Sequence, residues 1–529
     1  MSEFKRLEHL FSQGKIGRRE FMARASALGL AAAVPSFMSP SAYAATPSKG
    51  GTLRIGIGHG STTDTLDPAT YENLYMQTVG GAIHRKLTMV DNAGQLVPEL
   101  AESWEPTPDA KQWRFKLRQG VEFHNGKTMD AADVVASFNH HRGEDSKSAA
   151  KPIVEPITDI KADGKDAVVF TLEGGNADFP YIVSDYHLAI MPSQDGKIDA
   201  TSGIGAGSYS LESFEPGVRT TVKKFPNYWR DDVAHVDDAE LLVIVDVTAR
   251  TNALTTGEID AMDRVDLKTA HLLERNPDVS LVETSGNAHY TFAMRTDMAP
   301  FDNNDVRLAL KHALDREALL DTILLGHGYL GNDHPIGKAS RFYAGELEQR
   351  TYDPDKAKYH LKQAGMENLK VDLSASEAAF AGAVDAAVLY KEHAAKAGIN
   401  INVVREPSDG YWSNVWLKKP WCAVYWGGRP TEDWMFSTAY AAGAPWNDTY
   451  WEHERFNKLL SDARAELDEA KRREMYVEMQ SLVRDEGGAV VPLFNNYVMA
   501  LSNNIGHESM GNNWSLDGFR AVERWWIKS

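Results

Sequence analysis

Arg429 stands between the glycine pair Gly427 and Gly428 and Pro430, with Trp426 and Trp434 close by in sequence. A guanidinium beside aromatic faces can stack on a planar group and grip a carboxylate or phosphate through a two-pronged hydrogen bond. The glycines give the backbone freedom to swing Arg429 inward after the strand-like "CAVYW", and Pro430 narrows the conformations open to it. The competing reading has Arg429 capping the Glu432 and Asp433 loop through an exposed ion pair worth at most about 1 kcal/mol.

Other chemistry is poorly supported. "GIGHGS" (residues 56–61) imitates a dinucleotide loop, but Ser61 replaces the third glycine and no helix clearly follows. Neither a Walker loop, a Gly-x-Ser-x-Gly elbow nor a His-Glu-x-x-His pair occurs. His140, His141 and His334 could ligate a metal, but adjacent histidines at a polar helix end are more often solvated. The acid pair Glu432 and Asp433 reads equally well as a loop's hydrated face. No catalytic residue, metal site or cofactor is expected.

The chain's beginning reads as a targeting segment. A charged start, the twin arginine Arg18 and Arg19, a small-residue apolar run over residues 25–34 and an Ala-x-Ala site ending at Ala44 resemble a Tat export signal. The Tat translocase is the implied partner, and the run falls short of the roughly 18 apolar residues a membrane span needs. Cys422 is the single cysteine, which removes intrachain disulfides and thiolate iron–sulfur clusters. These features point to a soluble protein of the Gram-negative periplasm, cleaved after about Ala44.

The formal charge is −18 and the leader is itself basic, so the mature chain is more acidic still. Such acidity argues against nucleic acid or anionic lipid as a partner. With 43% hydrophobic residues, disorder is not expected.

The elements that must position Arg429 read as mixed α/β. Strands are expected at residues 52–57, 113–117, 166–172 and 240–246. A helix over 129–140 has Thr128 placed to cap it, and Gly257 can end another. Beyond residue 285, helices over 304–326 and the series 369–426 read as helices alternating with strands. Two further helices over 451–485 precede a strand pair in "AVVPLFNNYVMAL" (residues 489–501). An α/β lobe after a strand-rich one suggests a cleft between them.

Several segments then carry a resemblance. "LDPATY" (66–71), "LVPELAESWEPTPDAKQWRFKLRQGVEFHNGKTMDAADVVASF" (96–138), "GAGSYSLESFEPG" (205–217), "FPNYW" (225–229), "ALTTGEIDAM" (253–262), "FDNNDVRLALKHALDREALL" (301–320) and "VPLFNNY" (491–497) look like solute-binding protein family 5. That family serves ABC importers of dipeptides, oligopeptides, nickel complexes, opines and some sugars. The resemblance implies a two-lobed Venus-flytrap. Lobe I would span 45–286, with an inserted subdomain at about 83–200, lobe II 287–496, and 497–529 would return to lobe I. Chain crossings near 282–286 and 495–498 would form the hinge. The implied partners are a small-molecule solute and permease subunits with their ATPases, served by a monomer.

The cleft positions depart from the peptide-binding pattern. Dipeptide-binding relatives place an acidic residue shortly after a Trp-x-Gly step, and matching Trp426, Gly427 and Gly428 puts Arg429 there. They also use an arginine for the peptide carboxylate, yet residues 369–404 contain none, with Glu377 the nearby charge. Either the solute is an anion such as an opine, an acylated amino acid or an acidic saccharide derivative, or the loop match is offset by a few residues. Tyr71, Tyr411, Trp412, Trp426, Trp446 and Asn447 are further pocket candidates, although each aromatic is individually more often core. The alternatives are a Tat-exported cofactor enzyme and an extracytoplasmic chaperone or sensor on the same fold.

Overall fold

The computed structural model describes residues 47–408 and 410–528. Arg18, Arg19 and the Ala44 cleavage position lie outside them.

An eleven-stranded mixed sheet links two lobes. At one end Thr52–Ile57 pairs in parallel with Asp238–Val243, which continues to Arg219–Lys224 and Tyr209–Glu215. At the other end lie Trp421–Trp426, Lys370–Ala375 and Asn400–Arg405. Two long antiparallel strands, Val279–Met294 and Ala489–Ser502, run between these ends and carry the chain across.

Their register changes at the crossing. Ser285 faces Asn496 and His289 faces Phe494, so Gly286, Asn287 and Ala288 stand opposite Asn495 alone. A bulge of this kind bends a strand and releases local pairing. Gly286 fits because a Cβ there would lie 2.7 Å from the Tyr497 ring.

Separate hydrophobic cores lie on either side of the crossing. One joins residues from Leu53 to Ala261 with the C-terminal segment Met499 to Trp525. A second closes on itself between Leu87 and Ala206, around the strands Gln112–Leu117 and Ala167–Leu172. The largest is built from residues between Phe292 and Phe494. Among the described residues no helix is long and apolar enough to cross a membrane.

Two local expectations need correction. Asp130, rather than Thr128, caps the helix Ala131–His140, because its carboxylate accepts from Ala132 and Asp133 while Asp133 reaches back to the Asp130 N–H. Thr128 instead bridges to Glu122. The expected strand pair at residues 489–501 is one strand, Ala489–Ser502. Pro492 can sit inside it because Val491 and Pro492 together oppose Thr291, a bulge that spares the missing N–H.

The histidine pair also differs from its expected solvation. His141 is buried and bonded to Ser148 Oγ at 2.7 Å, and His140 Nε2 lies 2.8 Å from Asp67.

Candidate functional site

The strand Trp421–Trp426 ends at the crossing, where Trp426 pairs with His289 directly after the bulge. The chain then leaves the sheet through Gly427, Gly428 and Arg429 before Thr431 caps the helix Glu432–Ala439. Gly428 serves close packing rather than a special turn, since a Cβ there would lie 2.7 Å from Asn287 Cβ in the bulge. Arg429 is thereby anchored to the point where the lobes join.

It faces a cavity of about 650 Å³. Three parts of the chain build the walls. Lobe I supplies Tyr71, Glu72 and Trp514; the segment between Leu87 and Ala206 supplies Ile153, Asp185, Tyr186 and His187; the third wall carries Gly427, Gly428, Arg429, Trp434 and Trp446. A second cavity of about 480 Å³ shares Ile153, Trp434 and Thr438 with it, so the cleft continues beyond one compartment.

Arg429 is half-buried, and its Nη1 donates to the carbonyls of Gly427 at 3.0 Å and Gly428 at 3.3 Å. Among the described residues no carboxylate lies within ion-pair distance of it. Burial lowers its pKa, and Tyr186, Asp185 and Tyr425 act in the opposite direction. The expected alternative, capping of a solvated Glu432 and Asp433, is overturned. Both acids are buried in the first turn of the helix, Glu432 accepting from Phe342 N at 2.6 Å and Asp433 from Arg464 at 3.0 Å. Burial raises both carboxyl pKa values.

Residues 95–448 match the profile of bacterial extracellular solute-binding proteins, family 5 middle. The chain belongs to this family. Among curated proteins it is 25% identical over 443 residues to the glutathione-binding protein GsiB of Pectobacterium atrosepticum, spanning 81% of this chain and 86% of that one. It is 26% identical over 506 residues to di/tripeptide-binding protein 1 of Pseudomonas aeruginosa, spanning 88% and 93%. Among solved structures it resembles the periplasmic binding protein AgaA of A. tumefaciens R10 in complex with agropinic acid, with a TM-score of 0.72 and 25% identity over 90% of this chain and 99% of that one. HbpA2 of Haemophilus parasuis matches in fold, with a TM-score of 0.79 at 20% identity over 90% and 100%.

In this family 5 chain the candidate residues separate into two groups. Tyr71, Gly428, Arg429 and Trp446 border the cavity, with Trp446 about half exposed and Tyr71 fully buried. The others do not line it. Tyr411 is buried and donates to Ala423 O at 2.7 Å, tying its short helix to the strand Trp421–Trp426. Asn447 is spent on Trp451 O at 2.8 Å and Thr449 Oγ1 at 3.0 Å. Glu377 accepts from Gly382 N at 2.7 Å ahead of the helix Ala383–Ala395. Trp412 is exposed and packs edge-on to Tyr425 and Trp416.

Trp426 lies behind the wall and supports it. Its Nε1 donates to Asp448 Oδ2 at 3.3 Å, and Trp416 Nε1 donates to the same oxygen at 3.2 Å. Trp446 packs on both indoles. Burial pushes the Asp448 carboxyl up to about 7, against the two indole hydrogen bonds that favour its ionised form.

Sequence reasoning missed the opposite wall, Asp185, Tyr186 and His187. Asp185 Oδ1 accepts from His187 N at 2.9 Å and from His187 Nδ1 at 2.7 Å. The Asp-x-His spacing was the available signal, and it is also that of an ordinary Asx turn. Burial opposes ionisation of Asp185, but His187 outweighs it and its pKa is lowered.

Proposed function

We propose that this protein is the periplasmic solute-receiving subunit of an ABC importer, and that its solute is a small anion whose carboxylate is held by Arg429. The observation that carries this reading is a half-buried guanidinium in the cavity with no carboxylate within ion-pair distance among the described residues. A carboxylate from the solute would supply the missing partner, and a charge-assisted bidentate pair is the strongest hydrogen-bonded contact such a site can make. The named ligands of its relatives fit that chemistry in part: glutathione and agropinic acid both bear carboxylates. The aromatic walls suit an apolar or planar middle of the solute.

In this reading residues 1–44 deliver the protein through the Tat route, and the mature monomer passes its cargo to the permease unaltered. Closure of the lobes follows from the solute touching both walls, since a ligand shifts a conformational equilibrium only by its differential affinity for the two states. Mass spectrometry of the small molecule that co-purifies tests the reading. Recovery of an intact carboxylated compound is expected. A neutral or purely cationic compound, or a chemically converted one, overturns it.

A further inference from the structure

We infer that the second compartment of this cleft takes an uncharged, apolar tail of the solute. The solute class is then an N-acyl amino acid, or a similar carboxylate bearing a hydrocarbon chain, with its head at Arg429. This rests on the anion reading of Arg429 and adds what lies beyond the head.

The compartment of about 480 Å³ has two walls. Ile153, Phe179 and Ile182 come from the segment whose core closes between Leu87 and Ala206, and Trp434 comes from the helix Glu432–Ala439. None of the lining residues belongs to the core that joins Leu53 to Ala261 with the C-terminal segment. Ile153, Trp434 and Thr438 also border the Arg429 cavity, so they stand at the junction. Thr431 lines the compartment two residues after Arg429, which keeps the head and tail positions adjacent. Beyond the junction the walls meet, where Ala177 N donates to Arg464 O at 2.7 Å and a Cβ on Gly175 would lie 3.0 Å from Ala465 Cβ.

The polar side chains of the compartment are already engaged. Arg464 donates to Asp433 Oδ1 at 3.0 Å and to Ser437 Oγ at 2.6 Å. Thr438 Oγ1 donates to Trp434 O at 2.7 Å, Thr431 Oγ1 accepts from Trp434 N at 3.2 Å, and Asn176 Oδ1 accepts from Asp178 N at 2.9 Å. Glu173 is exposed at the rim. Inside that rim the described residues leave no charge unpaired. Such a space orders water poorly, because a bound water needs several polar partners. Hydrocarbon is the complement, since burying it against Ile153, Phe179, Ile182 and Trp434 removes apolar surface from water on both sides. The contrast with the first compartment is one of kind: Arg429 there lacks an ion-pair partner among the described residues, and here the one arginine has its own.

The competing reading makes the compartment a water-filled gap between two surfaces. Calorimetry on the mature protein separates the two, using N-acetyl-, N-butanoyl-, N-hexanoyl- and N-octanoyl-glutamate. Affinity should rise with chain length, by roughly 3- to 4-fold for each methylene buried. Ile182→Asp places a charge in the compartment without bordering the Arg429 cavity. It should remove that gain and leave the affinity for N-acetylglutamate unchanged. Arg429→Ala should weaken all four probes alike and keep the gain. Equal affinities across the series overturn the inference, and the effect of Arg429→Ala on N-acetylglutamate then judges the anion reading by itself. A gain that survives Ile182→Asp also overturns it, as does absence of binding by all four probes at millimolar concentration. A gain lost in Ile182→Asp, with N-acetylglutamate indifferent to Arg429→Ala, supports the compartment and refutes the anion reading. Should Ile182→Asp fail to fold, Thr438→Trp fills the junction instead, and a gain kept in that variant overturns the inference.

Discussion

Asp178 Oδ2 accepts a hydrogen bond from Arg472 Nη2 at 2.6 Å, joining residues 294 positions apart. The other oxygen accepts from Arg341 at 2.9 Å. Asp178 sits in the segment whose core closes between Leu87 and Ala206, while both arginines belong to the opposite lobe. Arg472 is also fixed to Ala463 O at 3.1 Å, so the contact joins two preformed walls. Asp178→Ala leaves the buried Arg472 guanidinium and the partly buried Arg341 without their shared acceptor, a loss of about 3 to 5 kcal/mol for the joined arrangement. Small-angle scattering of the ligand-free variant should show a larger radius of gyration than the unmodified protein. Identical scattering curves would mean that the contact does not hold the lobes together.

Arg429 carries the next prediction. Its backbone is set by the close packing of Gly428 on Asn287 and by the Thr431 cap, neither of which uses the guanidinium. Folding should therefore survive its removal. Arg429→Ala should weaken binding of the co-purified solute by roughly 2 to 5 kcal/mol, and Arg429→Lys should restore only part of it, since lysine offers charge without the fork. An unchanged dissociation constant in calorimetry would reduce Arg429 to a loop residue.

The contrast between Arg429 and Asn447 shows what the sequence could disclose. Strands such as Thr52–Ile57 and Trp421–Trp426 were legible because apolar periodicity and turn residues are local signals. Arg429 stood out because an arginine between glycines and tryptophans has few structural uses. Asn447, Tyr411 and Glu377 looked equally suited to ligand contact, but their partners Trp451, Ala423 and Gly382 are backbone groups fixed only by the fold. Asp185 and His187 were hidden for the converse reason. Their spacing announces a turn, and their exposure to the cavity depends on how a separate core docks against Arg429.

In the proposed reading export rests on Arg18 and Arg19, which lie outside the described residues. Replacing both with lysine keeps the charge and removes the guanidinium pair that a twin-arginine receptor reads. Cell fractionation should find the double variant retained as precursor in the cytoplasm. Normal periplasmic accumulation would refute the Tat assignment.

The last prediction concerns pH and Asp448. Burial holds its carboxyl near 7 in the folded protein, well above the ordinary 3.8 of an aspartate. In the unfolded chain it loses its proton near pH 4, so between about pH 4 and 7 the folded state binds more protons than the unfolded one. Stability associated with this group is complete below pH 4 and is lost as pH rises to about 7, by up to about 4 kcal/mol. Above pH 7 both states are ionised and the slope vanishes. Asp448→Asn can keep an acceptor oxygen for Trp416 and Trp426 but cannot ionise. Urea unfolding midpoints should therefore favour the variant progressively from pH 4.5 to pH 7.5, with the packing of Trp446 retained in its fluorescence. A constant difference between variant and unmodified protein across that range would show that Asp448 is ionised throughout and that the two indole donors, rather than burial, set its charge.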